Sequence, residues 1–153
     1  MAHPLLCWDI CLEGLHRRMQ LADDLKIMQN IMKAGNWHNT LVSLDNTLVW
    51  ENKVIIITDP TLKIIHATEN MFAMNGYKQK DVIGKSPSMF QGAKTEIIER
   101  QKIKIAVDKQ NSFESIITNY KKDGSIYKCH IEGHPVFNKK GNLVNFIAIE
   151  NAA

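Results

Sequence analysis

The chain has 153 residues, of which 44% are hydrophobic, enough for one buried core. Nineteen basic residues against sixteen acidic ones leave a formal charge of +3, spread without a basic block, so nucleic-acid binding has little electrostatic support. Leu5 and Leu6 are soon followed by Asp9, Glu13, Arg17 and Arg18, which excludes a signal-peptide core or an uncharged spanning run there. No membrane partner is expected, and a cytoplasmic location is the default. Cys7, Cys11 and Cys129 are odd in number and lack CxxC spacing, the pattern of reduced thiols.

Leu5, Trp8, Leu12, Leu15 and Met19 recur at steps of three and four, and Leu21, Leu25, Met28 and Met32 do the same. Each series predicts an apolar helical face. The second is displaced by about one position, so one seam cannot hold both without a stutter or a break. Two helices or a bent one are expected, ending at Gly35 and Asn36, with a length of roughly 45 Å if continuous. Leu41, Leu44 and Leu48 predict a further short helix. Strands follow at Val54 to Asp59, before Pro60, and at Ile64 to Ala67, then small helices. Lys94 to Lys109 has mostly helical spacing, with Thr95 as its opening residue. Ser112 to Tyr120, Ser125 to Val136 and Leu143 to Glu150 predict three antiparallel strands, joined by glycine turns at 122–124 and 139–141. The order is α+β.

Several separated stretches carry a specific pattern. Asn75-Gly76-Tyr77, Lys80-Asp81-Val82-Ile83-Gly84, the run from Gly84 to Thr95 and Asn119-Tyr120-Lys121-Lys122-Asp123-Gly124 resemble, in order, the PAS domains of the light-oxygen-voltage (LOV) type. The resemblance runs from Lys53 to Glu150. It implies a PAS fold, a five-stranded antiparallel sheet with flanking short helices, preceded here by an N-terminal helical extension. Residues 1–50 are accordingly expected to form a dimerisation or signalling extension and residues 51–153 the PAS domain.

In that subfamily a cysteine in the Gly84 to Thr95 run attacks a bound flavin after illumination. Pro87 stands at its position and has no thiol, so the resemblance implies a module without that adduct. Gln91 and Asn119 match family residues that contact the ring. Cys129 stands for a second ring-binding asparagine, Glu150 for the signalling glutamine, Thr68 for a strand-ending asparagine and Ser88 for a phosphate-holding arginine. The cofactor is therefore left unknown, and a colourless protein is expected.

Strand alternation places Ser115, Ile117 and Asn119 on one face. Together with Pro87, Gln91, Cys129 and Glu150 they form the candidate ligand set. Gln91 and Asn119 are expected to point inward, either to a ligand or to backbone groups of a filled core. A carboxylate in an apolar pocket is costly unless paired, hydrogen-bonded or protonated. Glu150 would then recognise a cationic or hydrogen-bonding ligand, although its nearness to the C-terminus favours fraying into water.

His130, Glu132 and His134 should share the face opposite Cys129 and Ile131, where they would meet the N-terminal helix or a second subunit and confer mild pH sensitivity. The two histidines would be about 13 Å apart, too far for one ion held at about 2 Å. No metal site is assigned. Cys7 and Cys11 read as small apolar residues. No hydrolase or transferase signature occurs, and the last strand is not followed by a kinase catalytic segment, so no enzyme activity is expected. The sequence points to a sensory and protein-interaction module of signal transduction. Its expected partners are a second copy bound through the N-terminal helices, a small molecule in the cavity and a signalling protein. The rivals are a flavin-binding photoreceptor or redox sensor without adduct chemistry, and a structural dimerisation unit with a filled core.

Overall fold

The structure, a computed structural model, describes residues 4–38 and 43–153. Helix α1 (Pro4–Ala34) and the short α2 (Leu44–Val49) precede strands β1 (Val54–Thr58) and β2 (Ile64–Ala67). Helices α3 (Met71–Asn75) and α4 (Gln79–Val82), a 3-10 turn (Pro87–Phe90) and α5 (Ile97–Asp108) lead to β3 (Phe113–Tyr120), β4 (Ile126–Phe137) and β5 (Leu143–Ala152). The strands form one five-stranded sheet in the order β2-β1-β5-β4-β3, with every pairing antiparallel. This is the expected α+β architecture.

Register assigns the faces. Val54 lies opposite Glu150, which in turn lies opposite Ile131, and Ser115 is opposite Ile131. These four residues therefore share the inner face. On that side Val54, Ile56, Ala67, Met71, Val82 and Phe90 pack as one apolar cluster. On the outer side Ile55, Ile57, Val136, Ile147 and Ile149 pack against Met28, Leu44 and Leu48. All five residues of β1 are buried because both faces are covered. Gly124 has φ +86 in the β3–β4 turn, a conformation a side chain would resist.

The expected break in the N-terminal helical region does not occur. One continuous 31-residue helix carries both apolar series. A displacement of one position turns the second stripe by about 100° around the axis. The second stripe, Leu21, Leu25 and Met32 with Met28, lies on the outer sheet face. The first is turned away from it: Trp8, Leu12, Leu15 and Met19 are 70%, 59%, 53% and 59% exposed. The side chains of Leu5 and Cys7, and residue Leu41, lie outside the described residues.

Asp24 fixes the docked half. It is 2% exposed; its Oδ1 lies 3.1 Å from His66 Nε2 on β2 and accepts from Gln79 Nε2 on α4 at 3.1 Å, while Oδ2 accepts from the Glu69 backbone N–H at 3.0 Å. The helix ends at Gly35 and Asn36, and the Trp37 indole donates to Asn145 Oδ1 at 2.8 Å.

Helix α5 begins later than predicted. Glu96 takes the cap position, because the Thr95 hydroxyl donates to the Thr118 carbonyl at 2.6 Å and accepts from Gly92 N–H at 3.0 Å. Thr95 ties the preceding loop to β3 instead of opening the helix.

Candidate functional site

Between the inner sheet face, α5 and the 3-10 turn lies a cavity of ≈ 570 Å³, within the size range of small-ligand sites. The predicted residues Pro87, Gln91, Ile117, Asn119 and Glu150 all line this cavity. Alternation along β3 brings Ile117 and Asn119 to it from the same strand face as Phe113. Pro87 opens the 3-10 turn and Gln91 caps it.

Ser115 and Cys129 are buried on the same inner face but are not in the wall. The Ser115 hydroxyl donates to Glu99 Oε2 on α5 at 2.7 Å, so it fastens that helix to β3. Cys129 packs with Ile117 and Ile131 beneath the wall.

Glu150 does not fray. It is 2% exposed and held on both sides by strand pairing, to Val54 of β1 and Ile131 of β4. A central strand position overrides nearness to the chain end. Its Oε2 accepts from the Cys129 thiol at 3.6 Å. Loss of water pushes the carboxyl up to about 7, since burial disfavours the charged form. Burial, then the Glu150 charge, pushes the Cys129 thiol well above its usual range, which makes it a poor nucleophile. Tyr127 is raised by burial in the same way. Among the described residues, Asn119 Oδ1, Asn75 Nδ2 and the Tyr127 hydroxyl are buried without a hydrogen-bond partner, which is unusual in a folded core.

Sequence reasoning missed the α5 side of the cavity. Ile97, Arg100, Gln101, Lys104 and Asp108 line it at steps of three and four, one helical face. Arg100, Gln101 and Lys104 are exposed and form its polar rim. The helical period was the available signal, but nothing in it marked which face meets a ligand.

On the outer sheet face the polar triplet of β4 meets groups of neighbouring strands and of Lys53, while His134 Nε2 is buried without a hydrogen-bond partner. His130 Nε2 lies 2.7 Å from Glu114 Oε1 and its Nδ1 3.3 Å from Asn151 Oδ1. The Glu114 hydrogen bond raises the imidazole's pKa. Glu132 Oε2 is 3.8 Å from His134 Nε2, and Oε1 is 3.8 Å from Lys53 Nζ. Glu114, His130 and Glu132 bring one ligand atom each within 4.8 Å of one another, but the 2.7 Å contact has the geometry of an ion pair.

Comparison with known proteins bears on what this arrangement is. A family model described as "PAS domain" matches residues 52–151. Phototropin-2 of Oryza sativa subsp. japonica is 33% identical over 112 residues, covering 73% of this chain and 12% of that protein. Protein TWIN LOV 1 of Arabidopsis thaliana is 34% identical over 98 residues, covering 61% of this chain and 25% of that protein. The chain therefore spans a quarter or less of those relatives' length. Among solved structures, the dark structure of the blue-light photoreceptor Aureochrome1 LOV superposes with TM-score 0.68 at 24% identity, covering 76% of this chain and 86% of that one. The LOV domain from the Erythrobacter litoralis EL346 blue-light activated histidine kinase gives TM-score 0.62 at 22% identity, with coverages of 65% and 94%. Both likenesses concern the fold. No helix among the described residues is long and apolar enough to cross a membrane.

Proposed function

This chain belongs to the PAS domain family, and from that membership we propose that it is a cytoplasmic sensory and protein-interaction module of signal transduction, without enzymatic activity. It binds a small molecule in the cavity, and residues 1–50 carry the signal as a dimerising extension of the PAS domain at 51–153. The proposed contacts are Pro87, Gln91, Ile117, Asn119 and Glu150, with Ser115 and Cys129 supporting the wall from behind.

The observation that carries this reading is the two-sidedness of β5. Glu150 faces the cavity, while Ile147 and Ile149 on the opposite face pack in the cluster that includes Met28, Leu25 and Leu21 of α1. A ligand that shifts β5 therefore changes the seat of the helix. Such coupling requires unequal affinity for two packings. The exposed stripe of Trp8, Leu12, Leu15 and Met19 supports dimerisation, since an apolar face of this kind favours association. A signalling protein that reads the dimer completes the proposed partners.

Two measurements test the proposal. Native mass spectrometry should find a small molecule retained by the purified chain, and light scattering should give about twice the 17.5 kDa chain mass, halved when Leu12 and Leu15 are both replaced by glutamate. A protein that stays monomeric at high micromolar concentration, with an empty cavity, overturns the reading. The second reading is a flavin-binding photoreceptor or redox sensor lacking adduct chemistry. Its support is the retention of Gln91 and Asn119 on the cavity wall beside relatives such as a blue-light-activated histidine kinase of Brucella anthropi, 32% identical over 97 residues. The leading reading expects a colourless protein. Stoichiometric flavin released on denaturation would establish the second.

A further inference from the structure

We propose that the cavity selects a flat organic cation of the amidinium or amino-heterocycle type, with the Glu150 carboxylate as its counter-charge and Asn119 Oδ1 as a second acceptor. The inference rests on the cavity being a ligand site and names the chemistry of its occupant.

The cavity wall is apolar on its flanks, where Phe90, Phe113, Ile131 and Phe146 line it, which suits a flat apolar body. Its deep polar groups are acceptors. Glu150, 2% exposed, receives one hydrogen bond, from a thiol, a weak donor. Asn119, also 2% exposed, leaves its carbonyl oxygen without a donor.

Among the described residues, no basic side chain forms an ion pair or hydrogen bond with Glu150. Arg100 and Lys104 line the cavity from α5 but are exposed at its rim, and Lys104 Nζ is paired with Asp108 Oδ2 at 2.8 Å. A buried carboxylate without a cation is costly, and an unpaired buried acceptor adds to the cost. A ligand with two N–H groups on a planar cationic head relieves the first and can relieve the second, because planar N–H donors bind a carboxylate through charge-assisted, often bidentate, hydrogen bonds. A ligand presenting a carbonyl edge instead meets acceptors with acceptors, and is discriminated against. The raised carboxyl pKa gives the choice a pH signature. A cation gains as Glu150 ionises, whereas a neutral acceptor ligand gains only while Glu150 keeps its proton.

Isothermal titration of the full chain with three probes tests this: benzamidine, its neutral isostere benzamide, and indole as an uncharged aromatic. Benzamidine should bind about tenfold tighter than benzamide at pH 8, equivalent to one charge-assisted hydrogen bond, and about tenfold tighter at pH 8 than at pH 6. Glu150→Gln should bring benzamidine to the level of benzamide while leaving indole affinity within about twofold, which also shows that the variant is folded. If indole binds but benzamidine shows no advantage over benzamide, or keeps it in Glu150→Gln, the ligand class is wrong and the cavity remains a binding site. If none of the three binds and native spectra show no ligand, the sensor reading beneath it fails as well.

Discussion

Replacing Glu150 by glutamine should change how the stability of the empty protein depends on pH. The carboxyl is fully buried, and its folded-state pKa is raised to about 7 from 4.5. Below pH 4.5 the group is protonated in both folded and unfolded chains and contributes no pH dependence. Between about 4.5 and 7 the unfolded chain releases the proton while the folded one keeps it, so stability falls by about 1.4 kcal/mol per pH unit, reaching a loss of about 3 kcal/mol by pH 8. Glutamine has nearly the same shape and no proton to lose. The assay is urea unfolding of both proteins at pH 4.5, 6 and 8, followed by circular dichroism and read as the difference between them. That difference should move in favour of Glu150→Gln by about 3 kcal/mol across the range. A difference that stays flat from pH 4.5 to 8 would refute the claim that Glu150 is buried without a counter-charge.

Three other perturbations probe what positions the site. Asp24→Ala removes the acceptor shared by Gln79 and the Glu69 backbone, and the carboxylate beside His66, and should cost about 3 kcal/mol, seen as a lower urea midpoint; a cost below about 0.5 kcal/mol would mean that α1 is not latched there. Gly133→Ala would drive a methyl group into the Phe113 ring and should cost about 1–3 kcal/mol, with Phe113→Leu restoring part of it in a double-mutant cycle. Glu96, lowered to about 2 first by the Lys128 ion pair and then by the Thr118 backbone N–H, contributes stability that is present above its unfolded value of 4.5 and lost as pH falls through about 2. The advantage of the wild type over Glu96→Gln should therefore shrink between pH 4.5 and 2, and an advantage independent of pH would rule out the carboxylate as its source. Because this side chain is partly exposed, solvent screening makes the effect smaller than at Glu150.

Much of the fold was legible because period and turn chemistry agree. The β3–β4–β5 meander follows from period-2 strands and glycine turns, and its observed bounds differ from the predicted ones by two residues or fewer. Helix ends were harder, since Thr95 is the favoured cap type and only its tertiary bond to the Thr118 carbonyl leaves the cap position to Glu96. In the site, strand alternation identified Ile117 and Asn119, but it could not show that α5 already occupies the Ser115 hydroxyl. The expected fraying of Glu150 failed for a related reason. Proximity to a chain end is a local property, whereas burial between β1 and β4 is a property of the sheet.

The phase slip in α1 has a functional reading in the same terms. Had the two apolar series been in phase, one stripe would have lain along the sheet and the helix would have covered its own domain. The slip of about 100° lets the docked half read β5 through Ile147 and Ile149 while the other half presents Trp8, Leu12, Leu15 and Met19 to solvent. A continuous helix joins the two halves without a hinge. Under the proposed function, a rotation imposed at Asp24 is carried to the exposed stripe by this continuous helix, since a sharp kink would need a local disruption of its hydrogen-bond ladder. Under the proposed function, cavity, β5, latch and stripe form one mechanical sequence. Inserting two glycines between Met19 and Asp24 should leave ligand affinity unchanged and uncouple it from dimerisation; if ligand still shifts the monomer–dimer equilibrium in that variant, the signal does not travel through α1.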